Sequence, residues 1–263
     1  KTKELVRKAG VPVIPGSQEA ILTLEAARAQ ARNIGYPILL KASFGGGGRG
    51  ILLVQQEEDI GRAFEISKAE SKAAFGKEGG YLEKFLSNAR HVEVQVARDD
   101  YGQVQAFVER DCTIQRRNQK LLEESPSPFV DDQTRIRFLK SAATAMDACA
   151  LTTVATVEFL FLPDQKTFYF MEINKRIQVE HPVTEELLGI DLIEIQMALA
   201  FGERLAPVAS RQGSRHALEV RINSEDPSQN FLPGEGTITR CQWPGGPGIR
   251  VDSFAAPYLN VGT

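Results

Sequence analysis

Cysteine is scarce. Cys112, Cys149 and Cys241 are three in 263 residues, odd in number, far apart and without metal-ligand spacing. That excludes a disulfide framework and a cysteine-built zinc site, and it points to a reducing compartment. Long apolar runs are also missing, since nothing approaches the ~20 residues a membrane helix needs. The opening KTKELVRKAG is an amphipathic helix end rather than a signal peptide. No sign of charge dominates: 31 Lys plus Arg stand against 34 Asp plus Glu, leaving −3. Neither nucleic acid nor a membrane is therefore expected as a partner. An initiator methionine is lacking and the chain stops at NVGT without a terminating pattern, so a piece of a longer protein is expected. What is present is ordinary globular composition, 42% hydrophobic and 25% charged. The length suits one large domain or a lid-plus-body pair.

Along the chain, apolar residues at helical spacing from Glu19 to Ile34 stop at Gly35, a helix-ending residue. A buried strand over Ile38–Ala42, the glycine run Gly45–Gly50 and a strand over Ile51–Val54 follow, then a helix over Glu57–Phe75. The middle changes character. Val92, Val94 and Val96 alternate with His91, Glu93 and Gln95, and a turn at Asp99–Gly102 returns the chain along Gln103–Glu109. A helix capped by Asp131 or Asp132 runs to about Ala150, and a hairpin joins Val154–Phe161 to Thr167–Asn174. Asp191 caps a helix through Phe201, and strands near Ala217–Asn223 and Gly236–Cys241 close the chain. Antiparallel hairpins mixed with helices predict an α+β fold, not a doubly wound parallel sheet.

The chemistry concentrates in Met171–His181. Read as an extended segment, it places Glu172, Asn174, Arg176, Gln178 and Glu180 on one face and mostly apolar residues on the other. A turn centred near Asp164 and Gln165 makes paired residue numbers sum to about 329 or 330, so Glu158 falls opposite Glu172 with Asn174 two places on. Two facing carboxylates repel unless a cation or a shared proton lies between them. An all-oxygen set of this kind suits Mg2+, whose remaining ligands are typically waters and phosphate oxygens. The glycine run offers backbone amides to a polyphosphate, though glycine-rich hairpins are often just turns. Its spacing is neither a Walker loop nor a dinucleotide fingerprint. Lys41, inside the apolar strand before it, needs a counter-charge. Glu83–Leu86 fits a hinge strand whose backbone could meet an adenine edge, or simply a strand end.

Seven segments, KASFGGGGRG, EKFLSNARHVEVQV, ERDCTIQRRNQK, VEFLF, FMEINKRIQVEHPVTE, HALEVRIN and GGPGIRVDS, together resemble the biotin carboxylases of the ATP-grasp superfamily. The resemblance covers nearly the whole chain, and RIQVEHPVTE is its most specific part. It implies an ATP-grasp fold with a glycine-rich lid over 13–85 and an antiparallel catalytic body from 86 into a truncated C-terminal domain at 263, after the end of a linker helix over 1–12. The implied reaction is the first half of a biotin-dependent carboxylation: ATP and bicarbonate give carboxyphosphate, whose CO2 carboxylates biotin on a carrier domain.

Carried over residue by residue, the resemblance implies that Lys41 and the lid glycines Gly45, Gly46, Gly47, Gly48 and Gly50 hold ATP phosphates. Glu83, Lys84 and Leu86 fall at the adenine, with His91 and Gln115 near the ribose. Lys120 faces the γ-phosphate and bicarbonate, and Glu158, Glu172 and Asn174 hold Mg2+ or Mn2+. Arg176, Gln178 and the Val179 backbone bind bicarbonate, Glu180 is its base, and Arg250 stabilises the biotin enolate. Asn118 stands in RRNQK where the family has RRHQK, keeping hydrogen bonding near the nucleotide without the possibility of a charge.

The implied partners are a biotin carboxyl carrier domain and a carboxyltransferase, in the same chain or a separate subunit, in a homo-oligomeric enzyme. The cytoplasm is the expected location, or the mitochondrial matrix if a transit peptide lies upstream. An ATP-dependent carboxylate–amine ligase shares the lid and metal carboxylates and differs in its acceptor. A non-catalytic nucleotide-binding module of a carboxylase assembly is the other alternative.

Overall fold

The computed structural model describes residues 2–42, 50–75, 79–208 and 215–262, which form two compact units divided after Val220. The first unit opens with helix α1 (Thr2–Lys8) and then builds a three-stranded antiparallel sheet, order β2-β1-β3, from β1 (Ile38–Ala42), β2 (Ile51–Val54) and β3 (Gly80–Lys84). Helices α2 (Leu24–Ile34) and α3 (Ile60–Phe75) pack on it, and Ile38, Leu40, Val54, Ile60, Phe64 and Leu82 form their shared core. The Thr23 hydroxyl accepts from the Ala26 amide to start α2, and Gly35 at φ 81° ends it. Gly45, Gly46, Gly47 and Gly48 of the expected lid lie outside the described residues.

The larger sheet is wholly antiparallel, order β8-β7-β4-β5-β6-β9. Its strands are β4 (Arg90–Arg98), β5 (Val104–Arg116), β6 (Gln119–Ser125), β7 (Thr153–Leu162), β8 (Thr167–Asn174) and β9 (Ala217–Val220). Strand alternation divides it. Val92, Val94, Val96, Val157, Phe159 and Phe161 bury one face against helix α4 (Asp132–Ala148), whose N-cap Asp131 accepts from the Thr134 amide at 2.8 Å. The opposite face carries His91, Glu93, Gln95, Thr156 and Glu158, and beyond them Ala97 and Val154 meet helix α6 (Leu192–Ala200).

Phe138 of α4 anchors the apolar side: its ring stacks on Phe168 at 4.1 Å and meets Phe159 and Phe161 edge-on at 5.3 and 5.5 Å. Phe138→Ala should cost about 3–5 kcal/mol through the cavity it leaves. In a thermal melt this should appear as a fall of roughly 10 °C in Tm.

The second unit, from Arg221, has little regular structure: two-residue ladders pair Glu225–Asp226 with Leu232–Pro233 and Gly236–Thr237 with Asn260–Val261. The expected strand over Gly236–Cys241 is therefore reduced to its first two residues. Among the described residues no helix is long and apolar enough to cross a membrane.

Three expectations fail in the first unit: the helix read from Glu19 begins only at Leu24, because Ile21 is drawn into a bridge with Gly80. The return strand does not stop at Glu109; β5 runs on to Arg116 and turns into β6 at Arg117 and Asn118, both at positive φ (51° and 63°). Asparagine tolerates that left-handed backbone better than most residues, which gives Asn118 a conformational reason to sit there. The extended reading of Met171–His181 is also corrected. β8 ends at Asn174, and a helix that periodicity did not reveal, α5 (His181–Leu188), begins immediately after Glu180. Pro182 occupies its first turn, where a missing amide hydrogen costs nothing, and Gly189 at φ 66° closes it.

Candidate active site

The β7–β8 hairpin pairs Glu158 with Glu172 and Thr156 with Asn174, as the turn arithmetic requires, with a bulge between Glu158 and Phe159. Asn174 bridges the two carboxylates, its Nδ2 donating to Glu158 at 2.9 Å and to Glu172 at 3.3 Å. Glu158 is buried and Glu172 exposed, so the pair forms a step from the interior to solvent. The donor set is hard oxygen, with amide hydrogens now spanning the space between like charges. This fits a small divalent cation, provided the Asn174 amide turns its oxygen inward.

Behind this pair lies a denser charge cluster. The Lys120 ammonium on β6 contacts Glu93 and reaches Glu158 Oε1 at 3.0 Å and Glu180 Oε1 at 2.6 Å. Arg110 on β5 donates from Nε to the other oxygen of Glu93 at 2.8 Å. Burial alone would raise the Glu93 carboxyl, but the Arg110 guanidinium and the Lys120 ammonium outweigh it and hold the group at about 2. Glu158 behaves alike: burial pushes it up, while the hydrogen bond and charge of His91 and the charge of Lys120 bring it to about 2. Lys120 is itself pushed well above the usual lysine range, because the surrounding carboxylates overcome its burial. Cys112, wholly buried beside this cluster, is raised by burial and by Glu93, which leaves a neutral thiol.

His91 sits on the same face, its Nε2 3.1 Å from Glu158 and its Nδ1 2.8 Å from the Gln115 amide nitrogen. The two residues expected at a ribose are thus in contact. Gln178 Nε2 donates to Glu158 Oε1 at 3.0 Å, while its own amide oxygen is buried without a hydrogen-bond partner. Such an orphan is costly in a finished structure and suits a group awaiting a ligand. Arg176 is exposed, with one guanidinium nitrogen on the Ile177 carbonyl at 3.2 Å, and Val179 is exposed. Glu180 reaches Lys120 as the N-cap of α5, not as the end of a strand.

On the smaller sheet, half-buried Lys41 finds its counter-charge: its Nζ lies 2.5 Å from Glu83 Oε2, and Lys3 of α1 contacts Oε1. Register places Lys41 opposite Tyr81 and Leu39 opposite Glu83, so Lys41 and Glu83 are diagonal neighbours. Burial would raise Glu83, yet the two lysines hold it below the ordinary carboxylate range. Lys84 turns away to the end of α2, donating to the Gly35 and Tyr36 carbonyls at 2.9 Å each. Leu86 follows β3 as a half-buried residue outside any strand, and Gly50 takes φ 70° just before β2. Arg250 lies in the second unit, where its guanidinium pairs with the Asp252 carboxylate at 2.9 Å.

Sequence reasoning overlooked Glu93 and Arg110 as site residues. Alternation put Glu93 on the face of His91, but its place opposite Glu158 follows only from β4 lying beside β7. Arg110 stood just past the predicted end of its strand.

This arrangement belongs to a known class. The family model "Carbamoyl-phosphate synthase L chain, ATP binding domain" matches residues 1–208, and "Biotin carboxylase C-terminal domain" matches 219–262. The chain therefore belongs to the biotin carboxylase family of ATP-grasp proteins. The biotin carboxylase of Nostoc sp. is 48% identical over 252 residues, covering 95% of this chain and 56% of that protein. Biotin carboxylase 1 of Bacillus subtilis is 46% identical over 260 residues, covering 98% and 58%.

Among solved structures, the Campylobacter jejuni biotin carboxylase–β-γ-ATP complex superposes with TM-score 0.93 at 44% identity, covering 98% of this chain and 58% of that one. The biotin carboxylase domain dimer of Hydrogenobacter thermophilus 2-oxoglutarate carboxylase, in complex with MgADP, ADP and bicarbonate, gives 0.92 at 42%, covering 99% and 57%. The chain thus spans somewhat more than half the length of these relatives.

Proposed function

We propose that this chain carries the nucleotide, metal and bicarbonate sites of a biotin carboxylase, which uses ATP and bicarbonate to carboxylate biotin on a carrier domain. The observation that carries the reading is the convergence of Glu93, Glu158 and Glu180 on the single ammonium of Lys120. No packing requirement calls for three carboxylates around one buried lysine, and desolvating them is expensive. The solved relative holding MgADP and bicarbonate supports the same reading.

In this scheme Lys41, steadied by Glu83, receives the nucleotide phosphates together with the lid glycines. Lys120 neutralises charge developing on the transferred phosphoryl group. Arg176 and Gln178 clamp bicarbonate beside Glu180, whose carboxylate takes the bicarbonate proton as its oxygen attacks the γ-phosphorus and ADP leaves. Glu158, Glu172 and Asn174 would hold Mg2+, which supplies charge neutralisation between the phosphates. The carrier domain and carboxyltransferase are partners in the whole protein, and homo-oligomerisation belongs to the same proposal.

ADP release by the full-length protein with Mg2+ tests this. It should require bicarbonate, rise when free biotin is added, and stop when EDTA removes the metal. Release that ignores bicarbonate and follows an organic acid with an amine would assign the site to another ligase. Tight ATP binding without turnover would make it a silent nucleotide module.

A further inference from the structure

Arg110 is wholly buried, and four hydrogen bonds run from its guanidinium to side-chain acceptors. Nε donates to Glu93 Oε1 at 2.8 Å, one terminal nitrogen to Gln95 Oε1 at 2.8 Å and Thr184 Oγ1 at 2.7 Å, and the other approaches Thr156 Oγ1 at 3.4 Å. These partners come from β4, β7 and α5, so a single planar group ties three elements together.

Stability is a poor reason for such a residue. A buried ion pair replaced by apolar side chains of similar volume is often neutral or better. What the fork does accomplish is geometric. It fixes Glu93 by one oxygen so that the other meets Lys120. Through Thr184, itself fully buried, it also fixes helix α5, whose N-cap Glu180 lies four residues earlier. Both carboxylates that flank Lys120 from outside the β7–β8 hairpin are thereby set by one guanidinium.

We infer that Arg110 is a positioning residue that holds Glu93 and, through Thr184 and helix α5, Glu180 in place around Lys120. The inference rests on the function proposed above for Lys120 and Glu180. Lysine cannot replace it, because an ammonium on a shorter reach lacks the planar fork that meets Glu93, Gln95 and Thr184 together.

The test compares Arg110→Lys and Thr184→Val with wild type in the full-length protein. Three quantities are read: bicarbonate-dependent ADP release, ATP affinity, and acetic anhydride labelling of Lys120 by peptide mass spectrometry. A misplacement of about 1 Å can cost roughly 100-fold in rate, so Arg110→Lys should lower kcat by about that factor and Thr184→Val by about tenfold. The KM for bicarbonate should rise while ATP affinity stays, and Lys120 should label faster in both.

Wild-type kcat per folded molecule and unchanged labelling, with only a lower Tm, would overturn the inference. If Arg110→Lys fails to fold, Thr184→Val decides alone, since it removes one hydroxyl and keeps the shape. If wild type shows no bicarbonate-dependent release but Lys120 labelling still rises in the variants, the proposed function fails and the positioning role stands.

Discussion

Lys120→Met should lower bicarbonate-dependent ADP release by about 10²–10³-fold, the usual effect of removing one charge-stabilising donor. It should also destabilise the fold by about 3–5 kcal/mol, because it leaves buried carboxylates without the cation between them. The pH dependence gives the sharper signature. In the wild type Glu93 and Glu158 lie at about 2, below their ordinary value of 4.5. Groups depressed on folding stabilise fully above the unfolded value, so this contribution drains away as pH falls from about 5 towards about 2. In the variant Glu158 keeps His91 and the Asn174 and Gln178 amides but loses the Lys120 charge, so its carboxyl moves up toward the ordinary value and less of this stability is left to lose on acidification. Tm should therefore fall less between pH 5 and pH 3 in the variant than in the wild type. Thermal melts across that range check the sign, and a parallel fall of both proteins would refute the cluster's role.

Glu180→Gln separates catalysis from folding. The amide keeps the size of the side chain and an oxygen for Lys120 but cannot take a proton from bicarbonate. Turnover should fall by about 10²–10⁴, the range general-base groups supply. ATP affinity should persist, since Lys41 and Glu83 lie on the other sheet. Tm should hold or rise, because among Glu93, Glu158, Glu180, Lys120 and Arg110 the negative charges formally outnumber the positive by one. Normal turnover in this variant, measured as ADP release against bicarbonate concentration, would remove Glu180 from the mechanism.

Much of the molecule was legible from its own string of residues. The hairpin that pairs Glu158 with Glu172 follows from counting across a turn, because antiparallel register between adjacent strands is fixed by loop length. The period-two split of Val92, Val94 and Val96 from His91, Glu93 and Gln95 is equally local, and it names the buried and the chemical face of β4. The caps at Asp131 and Asp191 mark helix starts because a short oxygen-bearing side chain can satisfy an amide within three residues.

Other features needed the folded chain. Helix α5 was hidden because its eight residues are too few to display a period, and the alternating polar residues before it imitate a strand. Glu93 meets Glu158 across neighbouring strands and Arg110 meets Thr184 between a strand and helix α5, 65 and 74 positions apart in sequence, through pairings that no local pattern dictates. The sequence by itself determined most of the element types, one metal-suited carboxylate pair and the family. Only the tertiary structure decided which charges share Lys120, because long-range pairing depends on how whole sheets bury their apolar faces.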